Sequence, residues 1–121
     1  MSEIKVTNLS TGAELVTVGR LANTHWSRLR GLMGSRPLAP LEGLLIVPCK
    51  SIHTHFMRFP IDVLFVNEAE EVIGLHHSLP PWRLGESHAN ARFVVELPAG
   101  TLASTGTQVG HRLRVEGLQT P

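Results

Sequence analysis

The stretch of sequence that decides the fold is residues 43–75, GLLIVPCKSIHTHFMRFPIDVLFVNEAEEVIGL. Its apolar runs are short, and proline, glycine or charged residues separate them, which is typical of strands rather than helices. The predicted strands follow one another along the chain, at 43–47, 52–57, 61–66 and 71–75. We therefore expect a meander at the centre of the fold.

The same punctuation continues on both sides of this stretch, because the chain holds 11 glycines and eight prolines. Further short strands are predicted at 4–8, 15–18, 93–97 and 112–116. Ser10, Thr11 and Gly12 are typical of a hairpin turn between the first two. Residues 76–90 are polar and broken by proline and glycine, which favours a long loop.

One helix is predicted over about 23–33, because Asn23 or Thr24 can cap its first N–H groups and Gly34 can end it. Four apolar residues recur at helical spacing within it: Trp26, Leu29, Leu32 and Met33. This stripe should pack against an apolar surface. A short helical turn is predicted over about 98–104. Together the elements predict a mainly β fold, a small β-sandwich or barrel with one flanking helix.

Length and composition limit the classes of protein that fit. At 121 residues the chain should form a single domain over 1–121. A net charge of +1, no tyrosine and no glycine-rich phosphate loop argue against a nucleic-acid binder. The lone cysteine excludes an internal disulfide and a multi-cysteine zinc site. No signal-peptide core or membrane-length apolar run is visible, so we expect a soluble, cytoplasmic protein without a membrane partner.

Seven histidines are an excess for a chain of this length, and two of them alternate on a predicted strand. His53 and His55 would project from one face, close enough to share one ion. A divalent metal such as zinc would need further ligands. The candidates are Cys49 and Asp62, with the loop histidines His76, His77 and His88 as further options. The alternative is a pair of solvated histidines on the polar face of a sheet.

Asp62 lies within an apolar strand, where both faces should be buried, so its carboxylate needs a partner. The register of the preceding hairpin decides which partner is available. One register pairs Met57 with Ile61 and favours an ion pair between Arg58 and Asp62. The other brings Asp62 to the histidines.

Cys49 is the candidate nucleophile, because a nearby histidine could lower the pKa of its thiol. Cys49, His53 and Asp62 would then be the catalytic residues of a hydrolase-like enzyme. No motif of a cysteine hydrolase is present, and a partly buried, inert thiol is the alternative.

Several residues could hold a small anionic ligand, namely Arg28, Arg36 and Arg83, since guanidinium groups bind carboxylate or phosphate in bidentate fashion. Trp82 lies beside Arg83 and could cover such a ligand or anchor a protein partner. The alternative is that the arginines only flank the helix with solvated groups.

Two segments, WSRLRGLMGSRPL and SIHTHFMRFPIDVLFV, resemble the signature of the DUF192 family, also catalogued as UPF0127. The similarity extends from about residue 20 to 117. The positions that carry it are Arg28, Gly31, Leu32, Met33, Gly43, Phe56, Met57 and Asp62. The resemblance implies a compact, mostly β domain and supplies no agreed biochemical activity.

Three functions remain open from the sequence. The first is a small-ligand or metal-binding β-domain with a cleft near His53 and His55. The second is a structural or protein-interaction module in which the histidines are incidental. The third is a hydrolase-like enzyme that uses the same cleft.

Overall fold

The computed structural model describes residues 3–118, which form nine strands and two short helices. Their bounds in chain order are β1 Ile4–Asn8, β2 Glu14–Ala22, α1 His25–Arg30, β3 Glu42–Ile46, β4 Ser51–His53, β5 Ile61–Val66, β6 Val72–Leu79, β7 Leu84–Ser87, β8 Phe93–Pro98, α2 Thr101–Thr105 and β9 Leu113–Glu116. The prediction of a mainly β fold is confirmed.

Seven strands form one sheet in the order β6-β5-β8-β3-β2-β1-β9, and β4 pairs with β7 in a separate ribbon. Neighbouring strands of the large sheet are antiparallel except β2 and β3, which run parallel with α1 in the connection between them. A bridge between Glu71 and Arg112 brings the start of β6 to the start of β9. The sheet is therefore a curled half-barrel.

The central strands β5 and β8 are buried on both faces, so their side chains divide between two apolar clusters. On the inner face, Leu64, Val95 and Leu97 pack with Leu102 of α2. On the outer face, the apolar cluster consists of Ile61, Val63, Phe65 and Val94, packed with Leu32, Ile52 and Met57. Alternation along each strand places Asp62 on the inner face and Glu96 on the outer face.

The helix α1 is shorter than predicted, and its stripe is only half buried. Thr24 caps it in a capping box with Ser27, and it ends at Gly31, whose φ is 48°. Trp26 is 67% and Leu29 54% exposed, whereas Leu32 is buried. The prediction that the stripe packs against an apolar surface is wrong for Trp26 and Leu29, because the turn at Gly31 directs Leu32 into the outer-face cluster and leaves the helix itself on the surface.

The predicted strand 52–57 ends at His53. Buried Thr54 donates its N–H to the carbonyl of Arg83 at 2.8 Å, and its own carbonyl accepts the N–H of Met57 at 3.2 Å. The chain therefore turns here, and Phe56 has a φ of 65°. The strand β5 pairs with β6 and β8. Since β4 pairs with β7 and not with β5, neither of the two hairpin registers considered for Asp62 forms.

The prediction of a loop over 76–90 is also wrong for most of the segment, which belongs to strands β6 and β7. β6 continues to Leu79, which lies opposite Ile61 of β5, and β7 pairs with β4. The polar residues of this segment occupy exposed strand positions, which a search for apolar alternation does not find. The second helix begins at Thr101, three residues after the predicted turn begins. Neither helix in residues 3–118 has the length and hydropathy needed to cross a membrane.

Candidate functional site

Asp62 has no exposed surface, and its carboxylate is satisfied by peptide groups. Oδ1 accepts the N–H of Ser78 at 2.8 Å, while Oδ2 accepts those of Gly100 at 3.1 Å and Leu102 at 2.8 Å. Gly100 is the N-cap of α2 and has no capping side chain, so Asp62 of β5 caps that helix instead. Its hydrogen-bond partners are thus neither Arg58 nor the histidines, and its role is structural.

Glu96 is the second buried carboxyl group of the sheet and is 2% exposed. Within the part of the chain that the structure describes, its Oε1 is buried and has no hydrogen-bond partner. Burial raises the pKa of Glu96 to about 8. The carboxyl group is therefore mostly protonated and neutral at pH 7.

A small cavity of about 50 Å³ lies against Glu96, on the outer face of the sheet. We call it the inner cavity, a name that is unrelated to the inner face of the sheet. Its polar lining is Arg28, Arg30, Cys49, Ser51, His53 and Glu96. Its apolar lining is Leu29, Leu32, Met33, Ile46, Ile52 and Met57. Gly31 lies directly above the carboxyl group, since a Cβ there would be 4.0 Å from Oε1 of Glu96. The cavity therefore lies between the α1 turn and strands β3 and β4.

Arg28 borders the inner cavity from α1. Its Nη1 donates to the carbonyl of Pro48 at 3.2 Å, which fixes the guanidinium group against the β3–β4 connection. Its Nε is buried and lacks a partner among residues 3–118. Two unpaired polar groups, one from Arg28 and one from Glu96, thus border the same cavity.

A wider cleft of about 480 Å³, the outer cleft, adjoins the inner cavity. The two share Arg28, Leu29, Ile46, Cys49, Ser51 and His53 as lining residues. The outer cleft adds His25, Pro48 and Lys50. The charged and titratable residues that line the outer cleft are basic, except for Cys49. No acidic residue among the described ones lines this cleft. The cleft thus favours a negative group.

Cys49 is half-buried, and its Sγ donates to the carbonyl of Ser51 at 2.9 Å. Burial raises the pKa of the Cys49 thiol, the hydrogen bond to Ser51 partly offsets that rise, the nearby Glu96 carboxyl adds to it, and Arg28 opposes it least. The shift is opposite to the one that activates a cysteine nucleophile. At neutral pH this residue is a thiol.

His53 and His55 lie beside each other, with ring centroids 5.3 Å apart. Nδ1 of His53 accepts the backbone N–H of His55 at 3.2 Å, which leaves Nε2 to carry the ring proton when the imidazole is neutral. His53 and Cys49 line the same cavity, but Asp62 lies on the other face of the sheet. In residues 3–118, no three His, Cys, Asp or Glu side chains are grouped so that they could hold a metal ion.

The other predicted ligand-binding residues lie outside this cavity. Arg36 forms a bidentate pair with Glu42 at 3.0 and 2.9 Å, and this pair lowers the pKa of Glu42 to about 2. Trp82 is 56% exposed and packs on Phe56 with ring centroids 4.7 Å apart. The backbone of Arg83 bonds to Thr54. Of the four candidates, Arg28 alone lines the inner cavity or the outer cleft.

Sequence reasoning missed Glu96, the residue at the base of the site. The signal was present, because Glu96 interrupts the apolar strand 93–97 just as Asp62 interrupts 61–66. The same burial argument applied to both acids. Lys50 and His25 carried no such signal, since the fold alone brings them to the outer cleft.

Comparisons with known proteins agree with the resemblance in the sequence. A UPF0127 protein of Pyrococcus furiosus is 35% identical over 109 residues, which cover 88% of this chain and 93% of that protein. A crystal structure from Sinorhizobium meliloti 1021, described as a proposed transcription regulator, aligns with a TM-score of 0.82 and 26% identity over 97% of this chain and 95% of that one. A protein of unknown function from Novosphingobium aromaticivorans shares the fold, with a TM-score of 0.80 and 22% identity over 92% of this chain and 82% of that one.

The family profile of DUF192, described as "Uncharacterized ACR", matches residues 6–115. The match spans both segments of the sequence signature and all strands of the large sheet, except for the first residues of β1 and the last residue of β9. This chain therefore belongs to the DUF192 family.

Proposed function

We propose that this protein binds a small organic molecule, with one polar group of the ligand in the inner cavity and the remainder in the outer cleft. The observation that carries the proposal is the pair of buried, unpartnered groups on that cavity, Nε of Arg28 and Oε1 of Glu96. A buried polar group without a partner costs about 1–3 kcal/mol. A bound ligand would recover that cost at both groups.

The dimensions of the site support a small ligand. The inner cavity, at about 50 Å³, has room for one functional group of two or three heavy atoms. The outer cleft, at about 480 Å³, has room for the rest of a small molecule. Leu29 and Ile46 line both volumes, so an apolar portion of the ligand would contact them on its way out.

The site favours binding over covalent catalysis by Cys49. Since burial raises the pKa of its thiol, Cys49 is a poor nucleophile at neutral pH. The other buried polar residues of the described chain are occupied by hydrogen bonds: Thr54 and Asp62 to the backbone, and Asn8 to Thr107. The free hydrogen-bonding capacity is therefore concentrated at Arg28 and Glu96.

The test is a fragment titration followed by amide chemical shifts. Small acids, amines and alcohols are added singly to the full chain, and binders should move the amide signals of Gly31, Leu32 and Ser51. The variant Ser51→Phe places a ring where both volumes meet and should abolish binding. The matched control is Ser87→Phe, since Ser87 is the exposed pairing partner of Ser51 on β7 and lines neither volume.

The proposal predicts that at least one fragment class binds the native chain and the Ser87→Phe variant but not Ser51→Phe. If no fragment moves these amides at millimolar concentration, or if Ser51→Phe binds as well as its control, the proposed function is wrong.

A further inference from the structure

Resting on the proposed function, we infer that the ligand of this site is a short-chain carboxylate, with its anionic group in the inner cavity and its hydrocarbon chain in the outer cleft. The inference concerns the chemical class of the ligand, and three independent features of the site support it.

The first feature is the number and kind of free hydrogen-bonding groups. The guanidinium Nε–H of Arg28 is a donor at any physiological pH, and it has no partner in residues 3–118. The protonated carboxyl group of Glu96 supplies a second donor. A carboxylate offers two acceptor oxygens in one plane, one for each donor. An ammonium group offers no acceptor to either donor, and an alcohol offers a single oxygen that both donors would have to share.

The second feature is the charge around the site. Arg28, Lys50 and His53 border the outer cleft, and Arg30 borders the inner cavity. Glu96 is the one acidic side chain among the described residues that line either volume, and it lies at the base of the inner cavity. A cation would pass the basic residues before it reached Glu96, whereas an anion is attracted along the whole path.

The third feature is the apolar surface along that path. Leu29 is 54% exposed on α1, although it lines both the inner cavity and the outer cleft. Ile46 and Pro48 face the same cleft from β3 and the residues that follow it. A short hydrocarbon chain leaving the inner cavity would cover Leu29, and each methylene that it buries there would favour binding.

The closing experiment compares three molecules of matched length: butyrate, 1-butylamine and 1-butanol. Each is titrated into the full chain at pH 6.5, and the amide shifts of Gly31, Leu32 and Ser51 give the dissociation constants. Butyrate should bind at least tenfold more tightly than butanol, and butylamine should bind more weakly than either.

Two variants separate the roles of Arg28 and Glu96. Arg28→Met should weaken butyrate at least tenfold and weaken butanol less, because butanol carries no charge, whereas Arg28→Lys keeps the charge and should lose less. Glu96→Gln keeps a neutral donor and should retain butyrate, although a site for cations would lose its ligand. The matched control is Arg36→Gln, because Arg36 is paired with Glu42 and lines neither the inner cavity nor the outer cleft.

The pH dependence provides a second readout. Butyrate affinity should fall as pH rises through about 8, because Glu96 then loses its proton and repels the anion. The other titratable groups that line the inner cavity are Arg28, Arg30, Cys49 and His53. Glu96→Gln removes the titration of Glu96 and, among the other groups, lowers only the pKa of Cys49, which stays raised by burial. The part of the pH dependence near 8 that this variant removes therefore belongs to Glu96.

Failure of this inference is distinguishable from failure of the proposed function. If the same amide shifts show that butanol or butylamine binds more tightly than butyrate, the site binds a small molecule of another class and the inference is wrong. If Arg28→Met binds butyrate as tightly as Arg36→Gln, the inference is also wrong. If none of the three molecules nor any other fragment moves these amides, both proposals fail.

Discussion

Asp62 and Glu96 are two buried carboxyl groups on neighbouring strands of one sheet, and the register places Val63 opposite Glu96. They face opposite sides. Asp62 points to the inner face and accepts three peptide N–H groups. Glu96 points to the outer face, where its Oε1 has no partner among residues 3–118. The two carboxyl groups are therefore equally buried, but that of Asp62 has hydrogen-bond partners and Oε1 of Glu96 has none among the described residues.

The difference arises from what each face brings to the carboxyl group. The inner face meets the start of α2 and the end of β6, where Gly100, Leu102 and Ser78 have N–H groups to donate. The outer face meets the turn at Gly31 and the side chains of Leu32 and Met57. A satisfied buried acid stabilises a fold, whereas the unsatisfied acid beside a cavity is the group on which the proposed ligand site rests.

The largest expected effect comes from Asp62→Asn. The amide keeps one acceptor oxygen and turns an N–H₂ group towards N–H donors, so the free energy of unfolding should fall by about 4 kcal/mol. Urea denaturation at pH 7 measures it, with Glu68→Gln as the control, because Glu68 is an exposed acid. A loss below about 0.5 kcal/mol would remove the structural side of the comparison.

The next effect tests the other carboxyl group through the pH dependence of stability. The pKa of Glu96 is raised to about 8 in the folded chain, so the unfolded chain loses this proton first, above its ordinary value of 4.5. Between those values, stability decreases as pH rises. Relative to the native chain, the free energy of unfolding of Glu96→Gln should therefore increase by about 2 to 3 kcal/mol between pH 5 and pH 7.

Urea denaturation of both proteins at several pH values across that window provides the measurement. The comparison uses the difference between the two curves, in which the other titrating groups cancel. Parallel curves would mean that Glu96 is ionised in the fold and has a partner. The contrast with Asp62 would then be wrong.

Local sequence indicated burial better than it indicated partners. The bounds of the strand 61–66 are as predicted, and the burial of Asp62 follows from its apolar neighbours. The donors to Asp62 could not be predicted, since Ser78, Gly100 and Leu102 are 16 to 40 residues away in the chain. The mainly β fold could be predicted for the same reason as the burial of Asp62, because both depend on short-range patterns of apolar and polar residues.

The candidate site could be predicted less well than the fold, because tertiary contacts bring its residues together. Alternation from His53 to His55 correctly keeps both residues off the buried side, yet the strand ends at His53 because Thr54 bonds to the distant Arg83. Arg28 was predicted as a ligand-binding residue from its type and position on a helix. Its location on the cavity of Glu96 depends on the turn at Gly31, which no periodicity in the sequence encodes.

The smallest expected effect uses Cys49 as a reporter of charge on the outer face. Burial raises the pKa of its thiol above the ordinary value for cysteine, and the Glu96 carboxyl contributes to the rise. The rate of alkylation by iodoacetamide should therefore have its midpoint above pH 9 in the native chain. Glu96→Gln should lower this midpoint, because the carboxylate that opposes the thiolate is absent.

A control separates this local effect from a general change of charge. Glu42→Gln also removes one carboxylate, but Glu42 is paired with Arg36 at 2.9 Å and lies outside the inner cavity, so the midpoint should not move. A midpoint near 8.5 in the native chain would mean that Cys49 is not buried beside an acid. An equal shift in both variants would assign the effect to net charge. A shift confined to Glu96→Gln would place the ionising carboxyl group on the same face as Cys49, where Asp62 cannot act.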